Sequence, residues 1–237
     1  MLNHYLSRYN NLMNAQYFAQ TFDEIANKIA EHEFCVMDNF ISKEIVTALA
    51  REVRNSHLET SLHQAGTGMG VATVNQALRG DYIGWLNDGK TNLQTNTEIK
   101  NSEAQVAYFE KMESLRLHLN THLYLGLFGL ESHLALYPAG ACYKKHIDRF
   151  KNIRVNDGKP ARQISCILYL NENWEDAFGG QLRVYNNIEN EVFFNEKFFD
   201  ILPISGRLVA FLSDTFYHEV LSATQPRMSV TGWFLTR

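Results

Sequence analysis

The chain of 237 residues has few cysteines, no surplus of positive charge and no long apolar run. Its three cysteines (Cys35, Cys142 and Cys166) are odd in number and widely spaced, which speaks against a disulfide framework and suits a reducing compartment. Lysine and arginine total 22 against 26 aspartates and glutamates, a formal net charge of −4. The electrostatic footprint of a nucleic-acid binder is therefore missing. No stretch reaches the ~18 apolar residues that would span a membrane. The start, Met1-Leu2-Asn3-His4-Tyr5, lacks the basic segment and apolar run of a signal peptide. The expectation is a cytoplasmic protein with neither nucleic acid nor membrane as partner. Apolar residues at 45% and charged residues at 20% exclude intrinsic disorder for most of the chain. What stands out is nine histidines and an aromatic content of 12%.

Patterning divides the chain into helices first and strands later. Residues 1–16 are polar, without period, and read as a loose arm. Phe18, Phe22, Ile25, Ala26, Ile29 and Ala30 fall on one helical face, and Thr21-Phe22-Asp23-Glu24 has the form of a capping box. Phe34–Met37 reads as a strand. Ser42 can cap a second helix carrying Ile45, Val46, Leu49 and Val53 on one side. Residues 59–101 are rich in Gly, Asn and Thr, with short strands expected near Val71–Val74 and Tyr82–Trp85. A long loop of this kind often serves as a lid or binding loop. A third helix is predicted over about 102–123. From His133 onward, short runs rich in β-branched and aromatic residues (133–137, 163–170, 181–185, 199–202, 207–212, 217–221 and 227–235) alternate with turn residues such as Gly179-Gly180, Pro203 and Pro226. The pattern predicts one domain, mainly β with an N-terminal helical layer, as a sandwich or barrel.

The histidines carry the first chemical signal. On a strand, residues i and i+2 share a face, so His146-Ile147-Asp148 would converge an imidazole nitrogen and a carboxylate oxygen on one point. Alone, the pair equally suits an exposed His near an Asp. His218 lies in a late strand run, and two His with one carboxylate form the facial triad of non-heme Fe(II) oxygenases. Arg227 opens the following strand run. It suits a strand start at the surface, but inside a β-core its charge demands an anion. A guanidinium fork fits a carboxylate bidentately, and a dicarboxylate chelating iron at its other end is 2-oxoglutarate.

The ordered set His146-x-Asp148, His218 and Arg227 resembles the Fe(II)- and 2-oxoglutarate-dependent dioxygenases. Tyr137-Pro138, the run Arg162 to Asn171, Gly179-Gly180-Gln181-Leu182-Arg183 and Phe211-Leu212-Ser213-Asp214 extend the likeness. Arg79-Gly80-Asp81-Tyr82-Ile83-Gly84-Trp85 resembles the RGDxIxW segment of the egl-nine-type prolyl hydroxylases, which include the hypoxia-inducible-factor enzymes and bacterial relatives. The resemblance implies a double-stranded β-helix (jelly roll) over 130–237, with 17–125 as helical layer and substrate loop. It implies Fe(2+) held by His146, Asp148 and His218, with O2 and 2-oxoglutarate as cosubstrates and ascorbate as a stimulant. Arg227 and Tyr169 would bind the distal carboxylate and Tyr137 would sit near the chelating end, while Thr231 and Trp233 line the pocket. Asp81 would pair with Arg162 to position the loop 82–100 over a protein or peptide substrate. A prolyl residue would be hydroxylated with release of succinate and CO2. Turn chemistry after Gly80 is another reading of Asp81, and the aromatics also suit a plain core. Arg149-Phe150 stands where the animal enzymes carry Asn-Pro. Hydroxylation of a small molecule or another side chain, or a non-catalytic jelly-roll binding module, are the competing functions.

Three further signals have blander readings. His118 and His122 have the i, i+4 spacing of a helical zinc pair but lack the Glu of a zincin, and read as a solvated helix face. Gly66-Thr67-Gly68-Met69-Gly70 matches no phosphate-binding pattern. Lys144, Lys145, Arg149, Lys151, Arg154, Lys159 and Arg162 form a basic stretch, read as a solvated loop or as a surface for an acidic substrate.

Overall fold

The structure, a computed structural model, describes residues 20–66, 74–87, 101–149, 160–185 and 197–237. Among the described residues, three α-helices, α1 (20–32), α2 (Lys43–Leu58) and α3 (Glu103–Leu123), accompany eleven strands. The strands are β1 (Phe34–Met37), β2 (His63–Gln64), β3 (Tyr82–Trp85), β4 (Gly129–Tyr137), β5 (Tyr143–His146), β6 (Ala161–Tyr169), β7 (Leu182–Tyr185), β8 (Phe198–Ile201), β9 (Leu208–Leu212), β10 (His218–Val220) and β11 (Arg227–Thr236). Seven pair in the order β1-β9-β6-β11-β4-β3-β2, and four in the order β5-β10-β7-β8. The ladders are antiparallel, and the two sheets enclose the interior of a jelly roll.

The larger sheet is apolar on both faces, which is why its strands read as continuous hydrophobic runs rather than alternating ones. On β6, Ile164, Cys166 and Leu168 pack with the helices, through Leu49, Val53, Met112 and Leu115. The intervening Ile167 and Tyr169 face inward against Leu182, Val184 and Val220 of the smaller sheet. β11 follows the same rule: Met228, Val230 and Phe234 go outward, leaving Arg227, Ser229, Thr231 and Trp233 for the interior side. The helical layer thus braces the wall that carries the polar residues of the cavity.

Several local expectations need correction. α1 is already helical at residue 20, so Thr21 lies within it and is not its cap; the Phe18 position and the arm 1–16 lie outside the described residues. Ser42 stands at the α2 N-cap but makes no side-chain capping bond, whereas Ser102 caps α3 by accepting from the Gln105 N–H at 3.1 Å. β2 is not expected from the sequence, because two residues show no period, and the strand expected through His146 and Asp148 ends at His146 as β5. Val74 is not in a strand; the rest of the 71–74 run, the glycines 68 and 70, residues 88–100 of the substrate loop, and Lys151, Arg154 and Lys159 lie outside the described residues. Among the described residues, no helix is long and apolar enough to cross a membrane, and the three cysteines are free thiols.

Candidate active site

His146, Asp148 and His218 offer one ligand atom each, all within 4.8 Å of one another. Register explains the meeting. β5 and β10 are antiparallel neighbours with His146 directly opposite His218, and their rings lie 4.2 Å apart. Asp148 is not on the strand, as the i, i+2 reading had it. β5 ends at His146 and the chain bends, carrying the carboxylate back to 3.7 Å from His146 Nε2 and 3.9 Å from His218 Nε2.

Each donor is oriented from behind. His146 Nδ1 is 2.8 Å from the Lys144 carbonyl and His218 Nδ1 is 3.1 Å from the Phe216 carbonyl. A carbonyl only accepts, so Nδ1 carries the hydrogen and Nε2 keeps its lone pair for a metal. Asp148 Oδ2 accepts from Ser165 Oγ at 2.6 Å and Trp233 Nε1 at 2.9 Å, which leaves Oδ1 available. Ser165 is tied in turn to Ser213 at 2.9 Å. Burial, and then the neighbouring His218, pulls the His146 imidazole down to about 3, so it is neutral and ready to ligate. Burial alone would raise the Asp148 carboxyl; the two imidazoles and the Ser165 and Trp233 hydrogen bonds outweigh it and hold it at about 2. Two imidazoles with Nε2 turned inward and one carboxylate on one side of a point suit a hard-to-borderline divalent ion such as Fe(2+).

The same cavity, about 60 Å³, is lined by the three donors and by Arg227. Arg227 is 2% exposed, so its charge is withdrawn from water. Its Nε donates to the Gly180 carbonyl at 2.9 Å, but its Nη2 has no hydrogen-bond partner among the described residues. The Tyr169 hydroxyl is also buried without one, beside the guanidinium. The Arg227 fork faces the rings of Tyr137 at 5.2 Å and Tyr169 at 4.9 Å. A buried guanidinium with an unpaired nitrogen lining the cavity describes an anion site that the protein itself does not fill, and the Tyr169 hydroxyl lies beside it. Gly180 permits this arrangement. At its φ of +72°, a Cβ would stand 2.9 Å from Ala223 Cβ and 3.0 Å from the Trp174 ring. Thr231 and Trp233 line the cavity as expected. A larger open groove of about 630 Å³ near Arg54, Pro138 and Trp174 contains neither of the His/Asp clusters found among the described residues.

The expected Asp81–Arg162 pair does not form. Arg79, two residues from Asp81 along extended chain, reaches both carboxylate oxygens at 2.7 and 3.0 Å. Arg162 instead bonds Glu131 at 2.6 Å and lies 3.6 Å over the Trp233 ring. Nor is the His118–His122 pair a simply solvated face, for it meets Asp23 of α1. The sequence assigns no site role to Tyr143, His133, Ser165 or Ser213, the two serines appearing there only within longer motifs. Ser165 left a trace, a polar residue at an inward position of the apolar run Ile164 to Leu170. Trp85 had been noted only within its motif; it packs edge-on to His133 at 5.0 Å, half exposed. Arg149 bonds Gln163 at 2.9 Å and Asp214, bridging the chain after Asp148 to β6 and the β9–β10 turn.

A family model described as the 2OG-Fe(II) oxygenase superfamily matches residues 132–235. The chain is 29% identical over 217 residues to human Egl nine homolog 1, covering 86% of this chain and 44% of that one. It is 29% identical over 209 residues to human prolyl hydroxylase EGLN3, covering 85% and 77%. Among solved structures, it is similar to a Pseudomonas putida prolyl-4-hydroxylase, with TM-score 0.74, 36% identity and coverage of 90% of this chain and 98% of that one. It is also similar to a Trichoplax adhaerens prolyl hydroxylase in complex with a hypoxia-inducible-factor oxygen degradation domain peptide. There the TM-score is 0.77, the identity 26% and the coverage 94% and 92%. The chain spans less than half the length of human Egl nine homolog 1.

Proposed function

We propose, for a chain that belongs to the prolyl hydroxylases of the 2OG-Fe(II) oxygenase superfamily, that it hydroxylates a prolyl residue of a protein substrate. Fe(2+) would serve as the cofactor, O2 and 2-oxoglutarate would be consumed as cosubstrates with release of succinate and CO2, and ascorbate would stimulate. The observation that carries the reading is the buried, half-partnered Arg227 in the same cavity as His146, Asp148 and His218.

The roles follow from chemistry. His146 Nε2, His218 Nε2 and Asp148 Oδ1 would hold the iron on one face. Bound iron and 2-oxoglutarate supply the activation of O2 that no protein side chain provides. Arg227 Nη2 and the Tyr169 hydroxyl would take the distal carboxylate. Their desolvated setting makes each bond stronger than in water and selects a dianion of the right length. Tyr137, with its ring against Arg227, would bound the chelating end, and Thr231 and Trp233 would fix the width. Ser165 and Trp233 hold the other oxygen of Asp148, so the carboxylate keeps one orientation through the cycle. The half-exposed Trp85, packed near Trp233, would meet the peptide at the mouth, with Arg79 and Asp81 holding the root of its loop. A cytoplasmic site of action fits three free thiols.

The test is mass spectrometry of host-lysate proteins incubated with the enzyme, Fe(2+), 2-oxoglutarate and O2, beside a His146→Ala control. One added oxygen on a prolyl residue, absent from the control, is expected. Added oxygen confined to other side chains or to small molecules overturns the prolyl assignment. Equal activity in the control overturns the metal site.

A further inference from the structure

Two helices of the outer layer bring together a second group of metal-binding side chains, remote from the cavity. His118 and His122, one turn apart on α3, project from one face, their rings stacked with centroids 3.9 Å apart and planes 21° apart. Asp23 of α1 reaches over them. Its Oδ1 lies 2.9 Å from His118 Nε2 and 3.9 Å from His122 Nε2. One ligand atom from each residue falls within 4.8 Å of the other two.

Three details distinguish this from an ordinary ion pair. His122 Nδ1 is 2.9 Å from the His118 carbonyl, so Nδ1 carries the hydrogen and Nε2 presents a lone pair toward the group. His118 Nε2 is shut off from water and, although 2.9 Å from Asp23, sits at an angle that closes no hydrogen bond. Donor atoms that crowd together without bonding one another are arranged around a common point. Donors bound to zinc at ~2.0–2.1 Å lie roughly 3.3 Å apart in a tetrahedron, between the two observed separations. The Phe22 ring, 5.7 Å from that of His118, backs the site on its apolar side.

We propose that Asp23, His118 and His122 form a second divalent transition-metal site, of the zinc type, that clamps α1 onto α3. Two imidazoles and a carboxylate leave a fourth position for water. The donor types match those of the His146–Asp148–His218 cluster, and in the Irving–Williams order such N/O donors favour Zn2+, Ni2+ or Cu2+, so Zn2+ is expected to enter both sites. Because the ligands come from two helices, the ion binds the folded chain and not the unfolded one, and so stabilises it.

The test is a Zn2+ titration by calorimetry of full-length, metal-stripped protein, with thermal melting alongside. Wild type is expected to take two equivalents. His122→Gln, at a half-exposed position where substitution leaves packing intact, and Asp23→Asn should each take one. The double variant His146→Ala/His218→Ala should keep one equivalent and a Zn2+-induced rise in Tm, which His122→Gln added to that background removes. Co2+ gives an independent reading: a tetrahedral site absorbs strongly in the visible, and that band should vanish with His122→Gln. If His122→Gln and Asp23→Asn take as much Zn2+ as wild type with the same Tm response, the inference is overturned. Loss of binding only in the His146/His218 variant likewise overturns it, leaving the iron reading intact.

Discussion

The ring of Tyr143 lies flat against that of His146, with centroids 3.6 Å apart and planes 13° apart. On its other side Tyr143 meets the Arg79 guanidinium, 4.6 Å from the ring centroid, and Arg79 is held by Asp81. A donor of the His146–Asp148–His218 cluster is thus braced through one aromatic ring by the segment at the root of the 82–100 loop. This is what Arg79 and Asp81 do in place of the expected Asp81–Arg162 pair.

Tyr143→Ala removes the ring that fixes His146. Loss of a group that orients a ligand typically weakens metal binding 10- to 100-fold. The Fe(2+) concentration for half-maximal 2-oxoglutarate turnover should rise about tenfold, while the Tm of the metal-free protein changes little. An unchanged iron requirement would show that the Lys144 carbonyl suffices to orient His146.

Arg227→Met should separate binding from stability. Losing the partner of a buried carboxylate costs roughly 2–5 kcal/mol, so KM for 2-oxoglutarate should rise at least about 30-fold. Without cosubstrate, Arg227 is a buried charge with an unbonded Nη2, and replacing it with an apolar chain should be neutral or stabilising. Calorimetry of the cosubstrate-free variant checks the second half; a large fall in Tm would mean that the Gly180 carbonyl bond outweighs the buried charge.

Gly180→Ala places a Cβ against Ala223, Trp174 and the Arg227 Cδ, on backbone at φ +72°. The expected result is a cost of about 1–3 kcal/mol in stability and a raised KM for 2-oxoglutarate, because the carbonyl that anchors Arg227 must move. Urea unfolding and cosubstrate titration read the two effects separately.

His133 sets a pH dependence. Burial, and then the charges of Arg79 and Arg162, pulls its imidazole from 6.5 down to about 3. The folded-state value lies below the unfolded one, so between about 6.5 and 3 the unfolded chain binds the proton first. Its contribution to stability is whole above pH 6.5 and is lost as the pH falls through that window, at up to about 1.4 kcal/mol per pH unit. His146 adds a similar slope in the metal-free protein. Urea unfolding of chelated protein at pH 7 and pH 5 should show the loss, and His133→Gln should flatten the slope. An unchanged slope would place the lost protons elsewhere.

Much of the fold was legible because burial imposes period on sequence. β3 was expected at 82–85 and is found there, α3 runs from Ser102 as its cap, and the late strands fall on their apolar runs. That His146, Asp148 and His218 would cluster and that Arg227 would be buried was legible because few residue types can hold a metal or meet an anion inside a β-core. Ser165, Tyr143 and His133 were not, because a serine, a tyrosine or a histidine on a strand is common without a role. Their importance lies in what meets them: Asp148 at Ser165, His146 at Tyr143, and Trp85 and Trp233 at His133.

The sequence by itself determined the classes of element, the donor types and their order along the chain, since these rest on local periodicity and on side-chain chemistry. Only the tertiary structure decided which groups meet. Strand register set His146 opposite His218, and a bend just past β5 returned Asp148 to them. The reach of Arg79 took Asp81 from Arg162, and the approach of α1 to α3 turned two histidines on a helix face into a cluster with Asp23. Distances between residues far apart in the chain depend on how sheets and helices pack, and no local pattern encodes them.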